Sequence, residues 1–288
     1  MMFNTVFKTG LVSVWLLCMG WLIRYEAFPH WFDDTVQGYK SLSRDLPAIR
    51  DTWMKVMAEG KHVGYVNSSI EMEDQEGQEM LLMSTQLLLR IDLQGVTEML
   101  RLHNKVRLNS RHELTGSESS FSLGRISGQM NITGTEKNEI FDVAAQLNEI
   151  QFNRQIRIPA GAVLFSPLMD AGMRSVRPGR SLKIRTLDPF SFSGELQTVE
   201  IKGLSSERRL LEGEEREVLV TRVAVHVGDL VLYSEVDEFG RVLRQETPFG
   251  LIFVQSTAQQ AMKVPPENNL NPLTLISSPA FPTMMNLP

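Results

Sequence analysis

Between Thr52 and Arg157 the chain alternates apolar and polar residues with a period of two, the spacing at which successive side chains point to opposite faces of a strand. In EMLRLHNKVRL, Leu100, Leu102, Val106 and Leu108 form one face, interrupted by Asn104, while Arg101, His103, Lys105 and Arg107 form the other. In MLLMSTQLLLRIDL, Leu81, Met83, Leu87, Leu89, Ile91 and Leu93 share a face; in EIQFNRQIRIP, Ile150, Phe152, Ile156 and Ile158 do. One apolar and one wet face per strand predicts an antiparallel sheet. No proline occurs between Pro47 and Pro159, as interior strands require if each is to keep its N–H donors. The stretch GKHVGYVNSSIEME places a hairpin turn at Gly60-Lys61, and a glycine at 64 is expected to let Trp53 or Tyr65 pack closely across the strand pair.

PAGAVLFSPLMDAGMRSVRPG breaks the pattern. Ser166 as N-cap with Pro167 in the first helical position predicts a short helix over Pro167 to Arg174. Strands resume at SLKIRTL, ELQTVEIKG, REVLVTRVAVHV, DLVLYSEVDEFG, RVLRQETPFG and LIFVQ, several joined by glycine turns. STAQQAM then predicts a last helical turn. The four expected segments are residues 1–29, a cytoplasmic tip with a transmembrane signal anchor; 30–50, a stalk helix stopped by Pro47; 51–262, the β domain; and 263–288, a proline-rich flexible tail.

The anchor is expected in TGLVSVWLLCMGWLI, Thr9 to Ile23, uncharged and bracketed by Lys8 and Arg24. At about 1.5 Å per residue it covers roughly 22 Å, short of a hydrocarbon core of roughly 30 Å, and snorkelling of Lys8 and Arg24 extends it. A cleaved signal peptide is the competing reading, and Tyr25-Glu26-Ala27 lacks the small first residue that cleavage requires. The expectation is a single pass through the cytoplasmic (inner) membrane with the main domain in the periplasm.

Composition narrows the chemistry. Cys18 is the one cysteine, which excludes disulfides within the chain, cysteine-based zinc sites and thiol catalysis outside the apolar run. The residues before it, Trp15-Leu16-Leu17, are too large for a lipoprotein signal. A net charge of −5 with interspersed signs gives no field for a phosphate backbone, so nucleic acid is not an expected partner. His30, His62, His103, His112 and His226 show no metal-binding spacing, so neither metal nor cofactor is expected. Glu235 and Asp237 point the same way on a strand, the minimum for a paired-carboxylate hydrolase, but their nearness to the turn at 238–240 accounts for them without catalysis. The cationic stripe Arg101, His103, Lys105 and Arg107 suits solvent or a neighbouring acidic strand bearing residues such as Glu71 and Glu73.

DTWMKVMAEGKHVGYVNSSIEME and RPGRSLKIRTLDPFSF, with VDEFGRVLRQETPFGLIFVQSTAQQAM downstream, resemble the extracytoplasmic region that precedes the catalytic domain of some bacterial transglutaminase-like proteins. The resemblance runs from about Asp51 to Met262. It implies a LolA-like, lipoprotein-carrier type of fold: mainly β (α+β), a strongly curved antiparallel sheet or half-barrel wrapped around short helices, preceded here by the N-terminal transmembrane helix. The family's Cys-His-Asp catalytic domain is absent from this sequence, so no catalytic residue is carried over.

Arg154 and Asn104 are polar groups in apolar faces, where burial demands a partner or a ligand headgroup. Met83 and Met99 belong to a set of methionines suited to lining an adaptable apolar cavity. These four are the ligand-binding candidates. The expected function is a membrane-anchored, non-enzymatic envelope module that binds a lipid-like ligand or a partner segment. The alternatives are an interaction scaffold for a separate transglutaminase-like or envelope-assembly protein, and an envelope hydrolase.

Overall fold

The fold is that of a computed structural model, which describes residues 38–43, 50–75, 78–93, 95–135, 139–159, 161–164, 173, 176–187, 196–211 and 215–271. The expected membrane anchor lies outside them, as does the helix expected over Pro167 to Arg174, apart from Met173. Among the described residues, no helix is long and apolar enough to cross a membrane.

Among the described residues, fifteen strands make one sheet. The first eight are β1 (Arg50–Ala58), β2 (Lys61–Gln75), β3 (Gln78–Leu93), β4 (Val96–Leu108), β5 (Leu114–Leu123), β6 (Ile126–Thr135), β7 (Ile140–Leu147) and β8 (Ile150–Arg157). After β9 (Val163–Leu164) come β10 (Ser181–Leu187), β11 (Leu196–Leu210), β12 (Glu217–Val227), β13 (Leu230–Asp237), β14 (Val242–Glu246) and β15 (Leu251–Ser256). Their lateral order is β8 through β1, then β15 back down to β9. All neighbours are antiparallel except β9 and β10. The predicted strands are therefore present and paired as hairpins, and the first meets the last: Trp53 lies opposite Ser256 and Ala58 opposite Leu251.

That order forces the sheet to roll. Fifteen strands laid flat at about 4.8 Å apart would separate β8 from β9 by roughly 67 Å. Yet Ile158 still donates to Glu139 O beside β8, and Val163 already pairs with Thr186 of β10. Five Cα steps of about 3.8 Å reach no more than roughly 19 Å. The curved, half-barrel expectation is met by a rolled sheet with a seam between β8 and β9.

The inner face carries the core. Val56, Met83, Val106, Ile132, Phe141, Ile184, Val199, Ile201, Val223 and Val236 are all 1% exposed or less. The helix α1 (Gly38–Ser43) belongs to this core through Tyr39 and Leu42. Its described part is thus packed into the sheet rather than standing away from it as a stalk. Tyr39 Oη accepts from Leu164 N–H at 3.0 Å and stands 3.5 Å from Leu164 O, serving the edge of β9 that β10 leaves open. Gly38 presses on the β8–β9 connection so closely that a Cβ would lie 2.9 Å from Gly161 Cα.

The helix α2 (Ala258–Met262), predicted from STAQQAM, is capped by Thr257, whose hydroxyl accepts from Gln260 N–H at 3.3 Å. The expected flexible tail is corrected over its first residues. Arg90 Nη2 donates to Pro266 O at 2.7 Å, and Leu270 exchanges backbone bonds with Arg90 and Asp92 at 2.8 Å each. The cause is a gap in the ladder: β2 pairs with β3 only as far as Gly64 and Leu89. Leu270 fills the vacancy beside Ile91, and its side chain is 2% exposed.

The first hairpin turns at Glu59-Gly60, with φ of 49° and 77°, one residue earlier than the sequence suggested and in the left-handed conformation that two-residue hairpins favour. Trp53 and Tyr65 do pack, with ring centroids 5.6 Å apart. Gly64 is required for a different reason: a Cβ there would sit 2.0 Å from Leu88 O.

Candidate functional site

Three consecutive rows of inner-face residues differ sharply in chemistry; the upper end is taken as the Ala58 end of β1. The lowest row runs Ile70, Met83, Val106, Ser117, Ile132 and Val143. None is more than 4% exposed, so this row is sealed.

The next row up is polar. Thr52, Ser68, Thr85, Asn104 and Ser119 are direct cross-strand neighbours on β1 to β5. In the other direction the polar residues sit higher: Gln255 lies opposite Met54, one inner position above Thr52, and Gln245, opposite Phe253 and so level with Val56, faces Ser234 two inner positions above Thr52. The belt is thus a row of hydroxyls and one primary amide on β1 to β5, with no charged member. On β2 to β5 it divides the two apolar clusters, with Ile70, Met83 and Val106 in one and Val66, Leu87 and Leu100 against the other. Asn104 Oδ1 accepts from Ser119 Oγ at 2.9 Å and from Ser117 Oγ at 3.3 Å. Thr85 Oγ1 and Ser234 Oγ are buried without a hydrogen-bond partner, an arrangement that costs about 1–3 kcal/mol per group.

Directly above the belt the row is apolar again: Met54, Val66, Leu87, Leu102, Phe121, Gly128, Leu147 and Ile150, each opposite the next. Gly128 makes room for the Phe121 ring, since a Cβ there would fall 2.3 Å from Phe121 Cε1. This row opens toward β8, from Met54 at 7% exposure through Leu102 at 38% and Leu147 at 42% to Ile150 at 68%. An inward-facing apolar wall is therefore in contact with water above a floor of neutral hydrogen-bonding groups.

The sequence candidates distribute over this arrangement unevenly. Asn104 is in the belt, and Met83 lies diagonally below it in the sealed row, 1% exposed. Met83 is thus core rather than cavity lining. Met99 is on the outer face opposite Arg90, away from the other three. Arg154 has inner-face parity opposite Val143 but stands exposed on β8, the last strand of the sheet. Its charge therefore incurs no burial cost. Sequence reasoning missed Thr52, Ser68, Thr85 and Ser119. The available signal was the position skipped in the β3 alternation, Thr85 between Met83 and Leu87.

The cationic stripe of β4 lies on the outer face. Arg107 of the cationic stripe pairs with Glu118 at 2.7 Å, so the acidic neighbour is β5 rather than Glu71 or Glu73. His103 is partly buried on this stripe, and desolvation with Lys105 nearby lowers its pKa from 6.5. His62 is lowered from 6.5 as well, chiefly by burial, while its Nε2 lies 2.9 Å from Gly64 O. Glu235 is paired with Arg209 at 2.8 Å. Asp237 accepts from the Phe239 and Arg241 amides at 2.9 and 2.8 Å and from the Arg241 guanidinium, closing the β13–β14 turn. Both carboxylates are thus engaged in structural contacts. Among the described residues, no group of three His, Cys, Asp or Glu is placed to hold a metal ion.

No family model matches the chain, and no curated protein matches it. Among solved structures it is similar to a beta-barrel-like protein of the domain of unknown function DUF1849 from Brucella abortus. The identity is 6% and the TM-score 0.46, over 73% of this chain and 95% of that one. The description of that protein names neither a transglutaminase-like protein nor a lipoprotein carrier.

Proposed function

We propose that this chain is a membrane-anchored, extracytoplasmic, non-enzymatic module of the cell envelope that holds an apolar, lipid-like ligand or partner segment against its inner face, in the manner of the lipoprotein-carrier type of fold. The supporting observation is the apolar row above the belt, which faces inward and is yet 38% exposed at Leu102 and 42% at Leu147. Each fully buried side chain of this size gains about 1.5–3 kcal/mol, so wetting such a row leaves free energy that a bound apolar chain would recover. The anchor is part of the proposal through the uncharged run from Thr9 to Ile23.

The test is lipid retention. Full-length protein extracted from membranes in a mild non-ionic detergent is analysed by native mass spectrometry and by solvent extraction. Retained lipid, reduced in a Leu102→Asp, Leu147→Asp variant that still folds, is the expected result. Protein that carries no lipid and binds no apolar probe would overturn the reading. Protein found free of membranes after fractionation would overturn the anchored placement.

A further inference from the structure

We infer that the ligand taken by the inner face is an uncharged amphiphile, one whose apolar chain joins an ester, amide or hydroxyl group, and that this neutral polar junction is held by the belt at Thr85 and Asn104. The inference rests on the apolar-ligand reading above and adds the chemistry of the polar end.

Three observations carry it. The belt lies where a ligand's polar end would arrive: below it the row of Met83 and Val106 is sealed, and above it the apolar wall is wet. Its members on β1 to β5, Thr52, Ser68, Thr85, Asn104 and Ser119, are neutral donors and acceptors. One of its hydroxyls, Thr85 Oγ1, is buried without a partner. A simple sheet core would place valine or leucine at this position, because an unsatisfied buried hydroxyl is destabilising. A ligand carbonyl or hydroxyl supplies what it lacks. An alkane leaves it unsatisfied. A carboxylate or phosphate would have to lose its hydration with no cation in the belt to replace it.

The experiment is displacement of a neutral naphthylamine fluorophore from the full-length protein by four ten-carbon ligands: 1-decanol, monodecanoylglycerol, decanoate and decane. The expected result is that the alcohol and the glyceride displace at least about tenfold more effectively than decanoate or decane. Thr85→Val, which keeps the side-chain shape, should weaken binding of the two neutral amphiphiles by about five- to tenfold and leave decane unchanged. Ser68→Ala, the cross-strand neighbour of Thr85, provides a second variant should Thr85→Val fail to fold. Equal displacement by all four ligands, with variants indistinguishable from the parent, would overturn the inference while leaving the apolar-ligand reading intact. Preference for decanoate would overturn it too, by revealing a cation at the polar end. If the fluorophore and all four ligands fail to bind, both readings fall together.

Discussion

The open edge of β9 is served by the phenol of Tyr39, and replacing Tyr39 by phenylalanine isolates the contribution of that hydroxyl. The ring is 2% exposed in the core, and Tyr39→Phe leaves that packing in place. What disappears is the oxygen that accepts from Leu164 N–H at 3.0 Å. Leu164 is 1% exposed and lies in a strand whose hydrogen-bonded neighbour is β10 alone, so water has no easy access to its amide. A buried donor stripped of its acceptor costs about 1–3 kcal/mol. At about 2–4 °C per kcal/mol for a chain of this size, the melting temperature should fall by roughly 2–12 °C. Tyr39→Ala also empties the site of the ring and should cost about 3–5 kcal/mol beyond that. The assays are thermal unfolding followed by circular dichroism and hydrogen exchange at the 161–164 segment. A Tyr39→Phe protein that melts with the parent and keeps full protection of the Leu164 amide would refute the idea that the hydroxyl satisfies the edge of β9.

Other outcomes follow from local geometry. Gly64→Ala should destabilise by about 3 kcal/mol or more in chemical denaturation, because its Cβ would fall 2.0 Å from Leu88 O; a neutral effect would show that β2 and β3 can separate there. Leu270→Ala should cost about 2–4 kcal/mol and expose the Asp92 amide, now bonded to Leu270 O at 2.8 Å, to faster exchange. Asp237→Asn should lower the melting temperature, since Asp237 is 4% exposed and holds both the turn amides and Arg241. His62 and His103, each lowered from 6.5 mainly by burial, should titrate below that value by NMR. The unfolded chain then takes up protons first, so their contribution is present above pH 6.5 and is lost as the pH falls through the folded-state values.

Much of the architecture was readable in the alternation. The inner faces of β3, β4 and β8 are those marked by Leu81 to Leu93, Leu100 to Leu108 and Ile150 to Ile158, because side-chain direction in a strand is fixed by parity. Asn104 announced the belt by interrupting an apolar face. The rest of the belt was illegible for a physical reason. Each strand contributes one small hydroxyl, and Ser68, Thr85 and Ser119 become a row only when the registers of β2 to β5 are known. The first residues of the tail, as far as Leu270, were misjudged because their order depends on the vacancy beside Ile91, a property of where β2 stops pairing, not of the tail's own residues. Arg154 looked buried from its parity, and only its place on the outermost strand shows that it is exposed.

The union of β1 with β15 has a kinetic consequence. From β1 to β8, and again from β10 to β15, every antiparallel ladder joins strands adjacent in sequence, so each series can zip up from its own turns at little cost in chain entropy. The ladder from Trp53–Ser256 to Ala58–Leu251 alone must recruit partners from opposite ends of the polypeptide. Two half-shells would therefore assemble early and independently, and their docking along this one line would be the late, slow event. A protease cut within 159–162 would then yield two fragments, each complete in its hairpins and able to reassociate.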